Sequence, residues 1–109
     1  MDTPESLADV RARIDGIDGE LVRLLAERQD LVRAAAAFKA DEQAVRAPDR
    51  VEKVVALARE RAARAGLAPE VAESVWRAMI SAFIDLELTE HGARVTGGRS
   101  GTRCQDARG

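Results

Sequence analysis

VRARIDGIDGELVRLLAERQDLVRAAAAFK, residues Val10 to Lys39, decides the fold. Ile14, Ile17, Leu21, Leu24, Leu31, Ala35 and Phe38 recur at steps of three and four, the spacing that gathers side chains on one face of an α-helix, and Arg28 falls in the same series. A guanidinium therefore stands in an apolar stripe. It keeps its proton, so burying it without an anion costs on the order of several kcal/mol. Two arrangements answer that cost. One is structural: an ion pair with a glutamate of a neighbouring helix, or a side chain that runs along the surface to water. The other is a site for an anionic ligand inside a helical bundle.

Outward from this stretch, the helix begins at Thr3-Pro4, with Thr3 capping and Pro4 in the first turn, or at Ser6, which forms a weaker capping pattern with Asp9. Running to about Lys39, its ~33 residues span roughly 50 Å, more than the width of a compact domain of this size, so it must project beyond its own fold. Gly16 and Gly19 interrupt it at about 1 kcal/mol each, which signals either close packing or simple tolerance. The polar stretch from Ala40 to Ala47 reads as a loop. Pro48 opens a second helix, with Asp49 at its positive end, an inward face of Val51, Val54, Val55, Ala58 and Ala62, and Gly66 as its stop. Pro69 opens a third, which runs to about Glu90 and stops at Gly92. It is apolar on two stripes, Val71, Val75, Met79, Ala82, Leu86 and Trp76, Ile80, Phe83. The next position on the second stripe is Glu87, a second charge facing inward.

Composition agrees with an all-α chain. Aromatic residues are 3 % of the 109, tyrosine is absent, and alanine, leucine, arginine and glutamate dominate. Seventeen basic and nineteen acidic residues nearly cancel, so no global field recruits nucleic acid or an anionic membrane, and neither is expected as a partner. The apolar runs fall well short of the ~20 residues a membrane span needs, and the N-terminus has no basic-then-apolar pattern; the chain reads as cytoplasmic. Residues 1–91 read as one helical domain and 92–109, rich in glycine and arginine, as a disordered tail. Cys104 lies in that tail as an incidental thiol, which leaves no internal disulfide and no metal cluster.

The chemistry that is missing narrows the function. The single histidine, His91, falls at the end of the third helix and the single cysteine in the tail, so no nucleophilic triad or dyad can be drawn. No phosphate loop, zinc spacing or dinucleotide fingerprint is present, and no cofactor or metal is expected. Four cations remain: Arg11, Arg28, Lys39 and Arg50. On a continuous helix Arg28 and Lys39 share a face about 16 Å apart, and long side chains there can converge on one small dianion. Arg11 is rotated about 100° from Arg28 and lies ~25 Å along the rod, out of reach within one chain. An antiparallel pairing of the first helix with its copy brings Arg11 of one subunit toward Arg28 and Lys39 of the other. The site then requires a dimer.

VRARIDGIDGELVRLLAERQDLV, followed by FKADEQAVRAPDRV, resembles the all-helical (AroQ-type) chorismate mutases, whose long first helix carries cations at these intervals. The resemblance covers roughly residues 7 to 90 and implies a three-helix chorismate mutase type II fold in an intertwined homodimer with shared sites. FKADEQAVRAPDRV is most similar to the isochorismate pyruvate lyase branch of salicylate and siderophore pathways. Ordinary mutases have a loop about one residue longer and a glutamate after the last arginine, where this chain has Val51; most relatives have glutamine where it has Glu87. The substrates so implied, chorismate and isochorismate, are small dicarboxylates that react pericyclically, so a site without His, Cys or Tyr suffices. Catalysis then comes from holding a compact conformer and stabilising the charge that develops as the ether bond breaks. The resemblance implies that Arg28 and the partner copy's Arg11 bind the two carboxylates and that Lys39 bridges a carboxylate and the ether oxygen. Arg50 closes the site from the loop, which orders as a lid over residues 40 to 50. Protonated Glu87 donates at the ether side, with Val51 and Phe83 as further substrate-binding positions. The Lys39 ammonium is expected to be readily hydrated in the empty site, so that its removal costs turnover rather than stability. A dedicated mutase, a mutase of an amino-substituted chorismate, and a non-catalytic helical interaction module are the alternatives.

Overall fold

The computed structural model describes residues 3–95, which form four helices and no strand: α1 Leu7–Ala36, α2 Glu42–Arg46, α3 Pro48–Ala65 and α4 Pro69–Val95. Residues 96–109, Cys104 among them, lie outside the described residues, and with them most of the segment expected to be a disordered tail. The chain divides into two compact units, the first ending at Ala34 and the second beginning at Ala35.

Of the two starts offered by the sequence, α1 uses Ser6. The Ser6 hydroxyl accepts the Asp9 backbone N–H at 3.0 Å, and Asp9 Oδ2 accepts the Glu5 N–H at 3.1 Å, which satisfies two donors at the helix start. Along the solvated side, Arg23 pairs with Glu20 at 3.0 Å and with Glu27 at 2.6 Å, local pairs worth about 0.3–0.5 kcal/mol each. The apolar stripe is exposed as well: Ile14 is 49 % accessible, Ile17 61 %, Leu21 52 % and Leu31 71 %. A Cβ added at Gly16 or Gly19 meets nothing within 4 Å, so within this chain neither glycine is required by close packing.

The helix stops three residues earlier than the spacing predicts. Phe38 and Lys39 donate to the carbonyls of Ala35 and Ala36 at 2.9 and 3.1 Å, i to i+3 bonds that tighten and close the last turn. Lys39 therefore leaves the helix, and the expectation that it shares a helical face with Arg28 is corrected. Phe38 also leaves the stripe and is exposed. The predicted loop contains α2, which polar composition concealed. Asp41 caps it, with Oδ1 accepting the Ala44 N–H at 2.9 Å, and Glu42 pairs with Arg46 at 3.0 Å.

Ala47 ends α2 and starts α3. Pro48 disfavours the right-handed helical region for the residue before it, and Ala47 takes the left-handed one at φ 36°, ψ 63°. There its N–H donates to Gln43 at 2.9 Å and its carbonyl accepts from Val51 at 3.1 Å, at a conformational cost of about 1 kcal/mol for a residue with a Cβ. Gly66 ends α3 at φ 83°, and the Leu67 N–H reaches the Ala62 carbonyl at 2.8 Å, a Schellman closure.

Packing in the second unit centres on α3 against α4, with α2 also on α4. Val55, Ala58 and Ala62 are buried on α3, as the sequence predicts; Ala72, Ile80 and Glu87 are buried on α4, and Val45 on α2. The stripe of α4 containing Ile80 thus faces inward. The adjoining one does not at its start, since Val71 and Val75 are half exposed. Nor does Gly92 stop α4, which continues to Val95. Arg77 crosses from α4 to α3, bonding both oxygens of Glu52 at 2.9 Å and also Glu73 at 2.8 Å, while Arg59 meets Glu73 at 2.9 Å. Hydrogen bonds from Arg77 hold the Glu52 and Glu73 carboxyls below the usual carboxylate range, against partial desolvation.

Candidate functional site

Glu87 is the one buried charged residue among those described. It lies on α4 one turn beyond Phe83, on the face that also carries Ile80, and only 4 % of its side chain is accessible. A carboxylate so placed needs a counter-charge. Lys39 supplies it from the turn after α1, with Nζ 2.9 Å from Oε2 and 3.2 Å from Oε1. Because the ammonium bonds both oxygens and is itself 27 % accessible, it is not the freely hydrated group that the sequence suggests. Breaking the pair leaves a buried charge uncompensated, so Lys39 has a structural part in holding Glu87.

The remaining sequence-predicted residues distribute as follows. Arg50 is exposed in the first turn of α3, directly after the Ala47-Pro48 junction, and Val51 beside it is half-buried. Phe83 is half-buried on α4. These, with Lys39 and Glu87, belong to the second unit. Arg11, exposed, and Arg28, half-buried, are on α1 in the first. Lys39 and Glu87 are the pair brought into direct contact. Sequence reasoning missed α2 and its buried Val45, which lie between Lys39 and Arg50 in the chain. The signal was present in Asp41 followed by Glu42, Gln43 and Ala44, a capping residue ahead of good helix formers.

Chemically, an ammonium beside a buried carboxyl can bind an anion and stabilise negative charge on an oxygen. It offers no nucleophile. Among the described residues, no group of three or more His, Cys, Asp or Glu side chains is placed to hold a metal ion, and no helix is long and apolar enough to cross a membrane.

Comparison with known proteins shows the family. Residues 10–88, which include Arg11, Arg28, Lys39, Arg50 and Glu87, match the model of chorismate mutase type II. An isochorismate pyruvate lyase of Pseudomonas aeruginosa is 39 % identical over 87 residues, a match covering 77 % of this chain and 86 % of that protein. The all-helical fold coincides with the matched region, and the chain belongs to the chorismate mutase type II family and is an enzyme of that family.

Proposed function

We propose that the protein is an isochorismate pyruvate lyase, releasing salicylate and pyruvate, with chorismate mutase activity on chorismate as a second reaction. The carrying observation is the Lys39–Glu87 pair, a half-buried ammonium at 2.9 Å from a buried carboxyl, within a chain 39 % identical to a protein of that name. In the lyase reaction the ether C–O bond breaks as a ring hydrogen passes to the enolpyruvyl methylene, and the ring becomes aromatic. No acid or base is obligatory. What the protein must supply is a compact conformer and a cation where the ether oxygen gains charge. Lys39 is that cation and also holds a carboxylate, Arg28 and the partner copy's Arg11 take the two carboxylates, and Arg50 closes the site as residues 40 to 50 order over the substrate. Phe83 and Val51 line it.

Glu87 has two roles in this reading. It neutralises Lys39 in the empty enzyme, and in its protonated form it donates to the ether oxygen.

The site is shared between two copies in an intertwined homodimer. Supporting this, the α1 stripe exposes Ile14, Ile17, Leu21, Leu24 and Leu31, a surface too apolar to leave in water. A cytoplasmic location suits a small dicarboxylate substrate.

Incubation of the protein separately with isochorismate and chorismate, with chromatography of products, tests the reading. Salicylate and pyruvate in equal amounts from isochorismate are expected. Prephenate from chorismate with no turnover of isochorismate would replace it by the dedicated mutase, which the family match also supports.

A further inference from the structure

We infer that Val45 is a positioning residue: by seating α2 on α4 it fixes where Lys39 and Arg50 stand relative to each other. The inference rests on the reading above, in which both cations serve one dicarboxylate. Lys39 lies two residues before Asp41, the cap of α2, and Arg50 lies three residues after Ala47, its other end. The segment between is not slack. Asp41 Oδ1 holds the Ala44 N–H at 2.9 Å, the Ala47 N–H holds the Gln43 carbonyl at 2.9 Å, and the Ala47 carbonyl passes directly into α3 through Val51. A closed helical turn thus connects the two cations.

What holds that turn in place is less obvious, because its outer surface is polar. Glu42, Gln43 and Arg46 are exposed, and the Glu42–Arg46 pair is local to α2. Val45 is 3 % accessible, the one buried residue of a helix that packs against α4, the helix carrying Glu87. A five-residue helix has no stability of its own, so its position depends on this side chain. Lys39 has a second anchor in Glu87. Arg50, exposed in the first turn of α3, stands where α3 and the α2–Ala47 junction leading into it put it.

Val55 gives the control. It is also 3 % accessible and is buried between α3 and α4, outside the Lys39-to-Arg50 connection. Val45→Ala and Val55→Ala delete the same two methyl groups from equally buried positions. If Val45 only adds to the core, the two variants behave alike. As a positioning residue, Val45→Ala is expected to lower kcat/KM about 10- to 100-fold, the scale of a misplacement near 1 Å, with Val55→Ala losing melting temperature but staying within about threefold of wild type. Val45→Ile should restore most of the activity, because it refills the seat.

Limited trypsin digestion supplies a readout besides turnover. Cleavage after Arg46 should accelerate in Val45→Ala and not in Val55→Ala, each measured well below its melting temperature. Equal kcat/KM in the two alanine variants, or an unchanged rate of cleavage after Arg46 in Val45→Ala, would overturn the proposal. Wild-type enzyme that turns over neither isochorismate nor chorismate would overturn the assigned reaction instead, and the digestion still decides whether Val45 seats α2.

Discussion

The two units of this chain obey opposite packing rules. In the second, α3 and α4 bury small residues, Ala58, Ala62 and Ala72 around Val55 and Ile80, and lock their flanks with Arg77 and Arg59. In the first, α1 carries the larger aliphatic side chains and leaves them in solvent. Of the seven buried apolar residues described, four are alanines, while Leu7, Ile14, Ile17, Leu21, Leu24 and Leu31 are each at least 49 % exposed. A chain spends its largest apolar side chains where they will be covered, at about 1.5–3 kcal/mol for each one buried. The contrast teaches that α3–α4 packs through contacts within the second unit, whereas the exposed aliphatic stripe of α1 supports the proposal that a second copy covers it.

The largest expected effect breaks the contrast at α1. Leu21→Asp puts a charge in the middle of the stripe, and in the proposed dimer this costs about 4 kcal/mol or more per interface through burial of unpaired carboxylates. Sedimentation should show monomers or unfolded chain and activity should disappear. Arg23→Ala, on the solvated side of the same helix, should change the assembly little. A dimeric, active Leu21→Asp enzyme would mean that the stripe is not the interface.

Next in size is Lys39. Lys39→Ala should lower turnover about 10²- to 10³-fold and, because Glu87 is left buried without its partner, destabilise the fold by about 3 kcal/mol. Adding Glu87→Gln should recover most of the stability and none of the turnover, since a neutral amide needs no counter-charge. Recovery of both would reduce the pair to a structural role. Glu87→Gln alone should keep or raise mutase activity near neutral pH, because an amide donates without having to be protonated.

The smallest effect sharpens the other side of the comparison. Arg77 holds the Glu52 and Glu73 carboxyls below their ordinary values, so these groups bind protons more weakly in the folded state than in the unfolded one. Their contribution to stability is present above the unfolded-state carboxylate pKa of about 4.3 and is lost as pH falls through the lowered values. Melting curves of wild type and Arg77→Ala should therefore differ modestly at pH 7 and converge in strong acid. Curves that stay equally far apart at low pH would show that Arg77 acts through packing and not charge.

Much of this was legible in the sequence. The period of α1, Pro48 and Pro69 at helix starts, Gly66 at a helix end and the inward turn of Glu87 are all local signals, and local physics enforces each. The early end of α1 was not legible, because Ala34 to Ala37 favour helix and nothing in that run says stop. What lies just beyond is a long-range ion pair between residues 48 positions apart, which no window of sequence contains. The helix α2 was hidden for a related reason. Its one large apolar residue, Val45, makes no periodic pattern, and it is buried in a helix that packs on α4. Of the candidate site, residue types and spacing gave the cations, whereas the pairing of Lys39 with Glu87 over any other combination needed the fold.

Subunit complementation tests the central claim, that α1 completes a site in a second copy, most directly. Arg11→Ala and Lys39→Ala enzymes are each prepared, mixed, unfolded and refolded together, and salicylate release from isochorismate is measured against wild type. With the site shared, each variant alone is nearly inactive, and the mixture recovers about a quarter of wild-type activity: half of the random pairs are mixed dimers, and each has one intact site. If both cations act within one chain, or the protein works as a monomer, the mixture stays as inactive as its parents.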